Sequence, residues 1–331
     1  MKIITRFILQ VALFFSATAI ASACTSVDIN TDDQQGGENI ETPDVVEGTI
    51  LDNIKKEVEM EVIDAKTTYP YEGVIYNELD FKCMQNSVVE RNHLFVIEVD
   101  LNQAAIRPST PKNKRIEGLK QDMLNQAIAA ENYAKCTVYY GINGDFFYGS
   151  MNIGEEAWPY GVVYVDGVAR KSEHKEGSSW SGNVLYTVKN GIAKIGDYTE
   201  FDKDLADGKV VHALGTHKSL VWNGEIMRNG GTQDLEVHNR SFAGVSKDGK
   251  KVFIFVADGR NKGYANGLTL AEASAICKAA GCWRAINFDG GGSTSLIGRH
   301  TTNASLGVIN KPSDEGHKLR PVVDGLLVIK K

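Results

Sequence analysis

Ala285-Ile286-Asn287-Phe288-Asp289-Gly290-Gly291-Gly292-Ser293-Thr294-Ser295-Leu296 runs from apolar residues through a carboxylate to three glycines and three hydroxyls. Trp283 to Phe288 reads as a strand, and Thr294 to Ile297 reads as another, so the glycines form a bend between them. Consecutive glycines lose much conformational freedom on folding, so such a bend asks for a reason. Without side chains, successive main-chain N–H groups can form an anion-binding concavity, here with Asp289 at its edge. The plainer alternative is a tight turn in which Asp289 bonds its own backbone. Familiar glycine loops do not fit. No Lys follows the glycines, as a nucleoside-triphosphate loop requires. A strand follows rather than a helix, against a dinucleotide fingerprint. Ser295 stands where a nucleophile elbow needs its second Gly.

Outward from the bend, β signals dominate. Gly73 to Phe81, Asn92 to Ile106, Thr137 to Asn143 and Val322 to Ile329 read as strands. Asp166-Gly167, Asn190-Gly191, Asn223-Gly224 and Asp248-Gly249 each sit between β-rich runs, as two-residue hairpin turns do. The run Val252-Phe253-Ile254-Phe255-Val256 suggests a strand buried on both faces. Helices are expected at Thr49 to Asp64, Arg115 to Ala134 and Leu270 to Ala280. The last carries a capping box, Thr269-Leu270-Ala271-Glu272, and a C-terminal Gly281. The pattern predicts an α+β fold with a mainly antiparallel β-sheet core and flanking helices.

The 331 residues carry a net charge of −6, with no basic field to hold a nucleic-acid backbone. Lys2, Arg6, the apolar stretch Phe7 to Ile20 and Ala21-Ser22-Ala23 make a leader whose cleavage point is followed at once by Cys24. This resembles a bacterial lipobox. Residues 1–23 are expected to be a lipoprotein signal peptide, with Cys24 acylated. Residues 24–48, polar and acidic, are expected to be a disordered tether, and 49–331 the folded domain. The expected location is the cell envelope, lipid-anchored at the outer membrane, on its periplasmic or surface side. Cys83, Cys136, Cys277 and Cys282 remain. A Cys277–Cys282 bridge and buried free thiols are both open, and no spacing supports zinc.

Unusual polar residues cluster where strands end: Asn143 and Asp145, Asp258 and Arg260, Asp289, with Arg240 at the start of a further strand. If these ends meet, carboxylates and guanidiniums share a cleft. Paired carboxylates are the machinery of glycoside hydrolysis, and arginines bind phosphate bidentately. Surface ion pairs and a simple Asp258-Gly259 turn are the bland readings.

These residues bring the chain into line with a known family. From about Arg91 to Ile329 it resembles the phosphodiester glycosidase domain family. The most specific piece is Ala285 to Ser293. Supporting it are Ile142-Asn143-Gly144-Asp145-Phe146-Phe147, Arg240-Ser241, Asp258-Gly259-Arg260, Gly267 to Glu272, Asn310 to Asp314 and Leu319 to Val323. The resemblance implies a hydrolase that cleaves a glycosyl phosphodiester to a sugar and a phosphomonoester, on envelope or dietary glycans. By similarity Asp289, Glu272 and Asp258 would line the active site, and the catalytic expectation is that Asp289 with Glu272 or Asp258 handles proton transfer. Asn143, Asp145, Arg240, Arg260, Gly290, Gly291, Gly292, Ser293 and Thr294 would bind substrate or phosphate. Ser241 departs from the Thr common after that Arg, and Asp145 occupies a variable place. No cofactor is required, although Ca²⁺ or Mg²⁺ at Asp258 or Asp289 is an option. The alternative is a lipid-anchored glycan-binding protein without catalysis, with Trp158, Tyr160 and Trp180 as an aromatic platform.

Overall fold

The structure, a computed structural model, describes residues 49–152, 154–174, 182–228 and 234–331. The leader, Cys24, the tether and Trp180 lie outside the described residues.

Helix α1 (Ile50–Glu57) leads into three long strands, β1 (Glu61–Tyr71), β2 (Val74–Gln85) and β3 (Val88–Asp100). Then come β4 (Ala104–Ser109), α2 (Met123–Ala134), β5 (Val138–Asn143), and the short β6 (Phe147–Gly149), β7 (Ala157–Pro159), β8 (Val163–Val165) and β9 (Val168–Lys171). β10 (Asn183–Val188), β11 (Ala193–Asp197), α3 (Tyr198–Ala206), β12 (Val210–Thr216), β13 (Lys218–Trp222) and β14 (Glu225–Ile226) follow. The chain ends with β15 (Arg240–Val245), β16 (Lys251–Ala257), α4 (Leu270–Ala279), β17 (Arg284–Asn287), β18 (Leu296–Gly298), β19 (Gly307–Val308) and β20 (Gly325–Lys330).

The strands form an eight-stranded sheet, β1-β2-β3-β16-β15-β17-β13-β14, two five-stranded sheets, β11-β10-β12-β8-β9 and β19-β18-β5-β20-β4, and the β6-β7 hairpin. Neighbouring strands pair antiparallel, as the hairpin turns predict. Asp166-Gly167 and Asn223-Gly224 both take positive φ at both turn positions.

β16 sits between β3 and β15 and is buried on both faces. Val252, Ile254 and Val256 enter a core shared with β5 and β20. Phe253 and Phe255 point the other way, into a second core beneath α1 and α4. There Phe242 and Phe255 stack at 4.8 Å. Each such ring contributes about 1.5–3 kcal/mol through the apolar area it removes from water.

Three expected boundaries move, each for a local reason. The helix from Thr49 stops at Glu57, because β2 recruits the β-branched residues beyond Glu61 into β1. The strand expected at 92–106 is two strands. Asp100 Oδ1 accepts the Asn102 N–H at 2.9 Å and turns the chain between them. The helix expected from Arg115 begins only at Met123, where Asp122 caps it. Upstream, Gly118 has φ +79, and Gln121 bridges to Val322.

α4 ends as its Gly281 predicts, with φ +87. The Cys282 N–H donates to the Cys277 carbonyl at 3.0 Å and the Gly281 N–H to Lys278 at 3.0 Å. This is a Schellman cap, whose two bracketing residues make an apolar contact. Cys277 and Cys282 fill those positions as buried free thiols, and Cys83 and Cys136 are also free.

Candidate active site

Antiparallel pairing gathers the chemistry at one end of the central strands of the large sheet. Arg240, which opens β15, pairs with Ala257, which closes β16. Asn287, which closes β17, pairs with Phe242. On the neighbouring sheet Asn143 closes β5 opposite Gly325. Asn143 ties the two sheets together. Its Nδ2 donates to the Asp289 carbonyl at 2.7 Å, and its Oδ1 accepts from Ser241 Oγ at 2.6 Å and Ser295 N at 3.2 Å. Asn143 is buried and outside the cavity lining, so it positions the bend.

The bend borders a cavity of about 260 Å³, lined among others by Phe146, Glu236, His238, Arg240, Arg260, Asn287, Asp289, Gly290–Gly292 and Arg320. Gly291 has φ +59. A Cβ on Gly292 would collide with the Arg320 guanidinium and the Asp314 carboxylate, so any side chain there would displace that ion pair. The expected anion-binding N–H groups are partly spent. Gly290 N–H donates to Asp289 Oδ1 at 2.9 Å and Gly291 N–H to the Asn239 carbonyl at 3.0 Å. Those two do not bind an anion. Ser293 and Thr294 are buried behind the bend and do not line the cavity.

Guanidiniums supply the positive charge instead. Arg240 is 7% exposed, and its side chain donates to two carbonyls, Leu268 at 3.0 Å and Glu236 at 2.7 Å. Among the described residues it has no carboxylate ion pair. Burial pushes it down to about 10, so it stays charged at neutral pH. Arg260 Nη2 lies 2.7 Å from His238 Nδ1. Because a guanidinium only donates, His238 Nδ1 accepts, and its neutral tautomer carries the proton on Nε2. Burial and the charges of Arg240 and Arg260 lower the His238 pKa, which favours that neutral ring. Arg320 is held bidentately by Asp314 at 2.8 and 2.9 Å.

Asp289 is a half-buried carboxylate at the cavity. Burial raises it to about 6, against the pull of Ser293, the Gly290 N–H and Arg320. The other two expected catalytic carboxylates are elsewhere. Glu272 Oε2 accepts from Thr269 N at 2.7 Å and Oγ1 at 2.8 Å, and Gln85 Nε2 reaches its Oε1 at 2.9 Å. It lines a separate cavity with Val58, Phe81 and Cys83, because the capping box turns it away from Asp289. Asp258 is fully buried and accepts from Asn310 Nδ2 at 2.8 Å, Lys311 N at 2.9 Å and Tyr264 Oη at 3.2 Å. It anchors the loops that carry Arg260 and Lys311. Its oxygens are filled by donors that a cation would have to displace. Among the described residues, no group of three or more His, Cys, Asp or Glu side chains is placed to hold a metal.

Asp145 also lies behind the site. Its N–H donates to Asp324 Oδ1 at 2.8 Å, and its own Oδ2 accepts from Gly161 N at 2.5 Å. Both carboxyls are buried, and Asp145 Oδ1 and Asp324 Oδ2 have no partner. Burial and the charge of Asp324 raise Asp145 well above its usual range. Burial, with a smaller push from Asp289, raises Asp324 to about 7, while Lys171 opposes both shifts. Two carboxyls this close cannot both ionise at low cost.

Sequence reasoning did not assign Glu236, His238, Asn287 or Arg320 to the site. Arg320 lay inside a matched block, and Asn287 inside the opening stretch. Asn287 donates to the Phe288 carbonyl at 2.7 Å and leaves its Oδ1 without a partner. Glu236 and His238 carried no motif. Trp158 and Tyr160 both pack around Tyr148, Trp158 stacked on it and Tyr160 edge-on, and do not line the cavity.

The phosphodiester glycosidase family model matches residues 137–329. The fold is similar to the catalytic domain of zebrafish N-acetylglucosamine-1-phosphodiester alpha-N-acetylglucosaminidase, solved auto-inhibited by its pro-peptide. Identity is 18%, covering 81% of this chain and 88% of that one, with a TM-score of 0.60. A Burkholderia pseudomallei protein described as a candidate for export shares the fold at 11% identity, 82% and 97% coverage and a TM-score of 0.61. A hypothetical protein from Synechocystis does so at 13% identity, 82% and 68% coverage and a TM-score of 0.55. No curated protein matches the sequence significantly. The matched region takes in every residue that lines the cavity, and the chain belongs to the phosphodiester glycosidase family.

Proposed function

We propose that this protein hydrolyses a glycosyl phosphodiester, releasing a sugar and a phosphomonoester. The observation that carries the reading is Arg240, a buried guanidinium with only carbonyl partners, lining the same small cavity as Asp289. Glu236, Glu272 and Asp234 act on this guanidinium through space without pairing with it, so it keeps its charge for a bound phosphodiester, which can pair with it directly. Arg260 and Arg320 border the same space.

The reaction breaks the bond between the anomeric carbon and the ester oxygen. Water supplies the new oxygen at that carbon. Its proton passes to Asp289, and the bonding pair stays with the phosphate ester. A phosphomonoester leaves readily, so the site needs no strong general acid. This suits a cavity in which Glu272 and Asp258 do not face the reacting bond. Asn287 borders the same space, with its Oδ1 buried and without a partner among the described residues. Glu236 and neutral His238 order the wall behind Arg260.

The setting belongs to the same proposal: a lipid on Cys24 and the acidic tether hold the enzyme over envelope or dietary glycans. The test offers a synthetic glycosyl-1-phosphodiester to the soluble domain, to Asp289→Asn and to Arg240→Gln. The wild type should release sugar and phosphomonoester in equal amounts. Asp289→Asn should lose about 10²–10⁴-fold in kcat, and Arg240→Gln about 10²–10³-fold in kcat/KM. Equal release by wild type and Asp289→Asn would remove Asp289 from the mechanism. Tight glycan binding without release by the wild type would replace the enzyme with a binding protein.

A further inference from the structure

The catalytic cavity is smaller than most ligand clefts, so part of any substrate must lie outside it. Arg260 marks where that part goes, because it borders two cavities. The second, of about 390 Å³, is lined by Glu90, Arg91, Lys262, Tyr264 and Asn266 together with Arg260.

The wall of this second cavity is firmly built. Arg260 has φ +54, a strained value for a residue other than glycine. Its N–H donates to the Asn266 carbonyl at 3.0 Å, and Asn261 and Ala265 close a β-bridge within the loop. Asn261 Nδ2 reaches the Lys311 carbonyl at 3.0 Å. Tyr264 stacks on His93 at 5.3 Å and donates to Asp258 at 3.2 Å. The Lys311 ammonium lies 4.9 Å from the Tyr264 ring centroid, next to the cavity and outside its lining. Asp258 thus holds the loops of the second cavity in place, which is what its buried carboxylate does instead of chemistry.

Charge decides what the cavity would take. Arg91 is neutralised by Asp80. Among the described residues, Arg260, Lys262 and Lys311 have no carboxylate ion pair, and Glu90 is the one carboxylate in the lining. Two unpaired cations in the lining, Arg260 and Lys262, stand against the one carboxylate Glu90, with Lys311 close by on the Tyr264 ring, and on a chain of net charge −6 this favours an anion. In the proposed reaction the sugar ring lies toward Asp289 and Asn287, with its phosphate at Arg240. The other ester of that phosphate then leaves past Arg260 into the second cavity.

We propose that the second cavity is a subsite for a further phosphate on the leaving group, so that the natural substrate is a glycan chain carrying more than one phosphate rather than a lone sugar phosphodiester. This rests on the phosphodiester glycosidase reading of the first cavity.

The test compares two synthetic substrates with the same scissile bond. One has an uncharged sugar as the remainder of the leaving group, and the other has that sugar carrying one phosphomonoester. At low ionic strength the wild type should prefer the second by about tenfold in kcat/KM, through KM. The preference should fade in about 0.5 M salt, where the screening length falls below the reach between the sites. In the double variant Lys262→Ala, Lys311→Ala the ratio of the two kcat/KM values should fall towards one. Lys262→Glu should invert it. Cleavage of both substrates with equal kcat/KM by the wild type, or a preference that persists in the double variant, would overturn the subsite. Cleavage of neither would overturn the hydrolase reading instead.

Discussion

Asp289 carries the clearest pH signature at the scale of single residues. With its carboxyl raised to about 6, it acts as a base only when ionised. Turnover should therefore fall as pH drops below about 6, and a pH profile of kcat/KM should show that acid limb. The Asp145–Asp324 pair makes a second, independent prediction, for stability. A carboxyl whose folded pKa is raised binds its proton more tightly when folded than unfolded. Its contribution is fully present below the ordinary value of 3.8 and is lost as pH rises through the folded value, about 7 for Asp324. Asp145 and Asp289 shift in the same direction. The melting temperature should fall between about pH 4 and 7, less the opposing contribution of carboxylates such as Asp204, whose Lys194 bond lowers its pKa. Asp324→Asn should flatten that slope, because its amide oxygen can still accept the Asp145 N–H while the side chain no longer titrates. A slope unchanged in Asp324→Asn would locate the titration elsewhere.

Elements decide what a carboxylate can do. Glu272 stands at the start of α4, where a helix leaves N–H groups without partners, and it spends its oxygens on Thr269 and Gln85. Glu272→Ala should cost about 1 kcal/mol of stability, of the order of a lost cap, measured by denaturant unfolding. Its kcat should stay within about threefold of the wild type, where a proton-transfer residue would lose about 10²-fold or more. The same logic explains which element readings came from pattern alone. The Thr269 capping box, the Gly281 cap and the hairpin glycines act between neighbours in the chain, so their residue types were sufficient. The boundary at Glu57 was not legible, because the pull that ends α1 comes from β2, and the α2 start was masked by apolar spacing in a segment that Gly118 and Gln121 hold irregular.

The whole molecule assembles the site from β5, β15, β16, β17 and β20, joined through Asn143 and Asp324. Among the described residues no helix is long and apolar enough to cross a membrane. If Cys24 is lipidated as proposed, the full-length protein should partition with membranes, and Cys24→Ser should move it to the soluble fraction while the purified domain keeps its turnover. Membrane partition of both forms would point to another anchor.

By itself the sequence determined the antiparallel sheet class, the twice-buried β16, the caps of α4 and the glycine bend beside Asp289. Each of these depends on period, volume or backbone freedom within a few residues. Tertiary structure alone decided which strand-end side chains share a cavity. Side chains alternate between opposite faces of a strand, and at its end the following loop sets their aim. Asp258 and Arg260 are two residues apart, yet one is sealed under Tyr264 and Asn310 while the other borders two cavities. Glu236, His238 and Arg320 join them only because separate loops pack there, a proximity that no local spacing encodes.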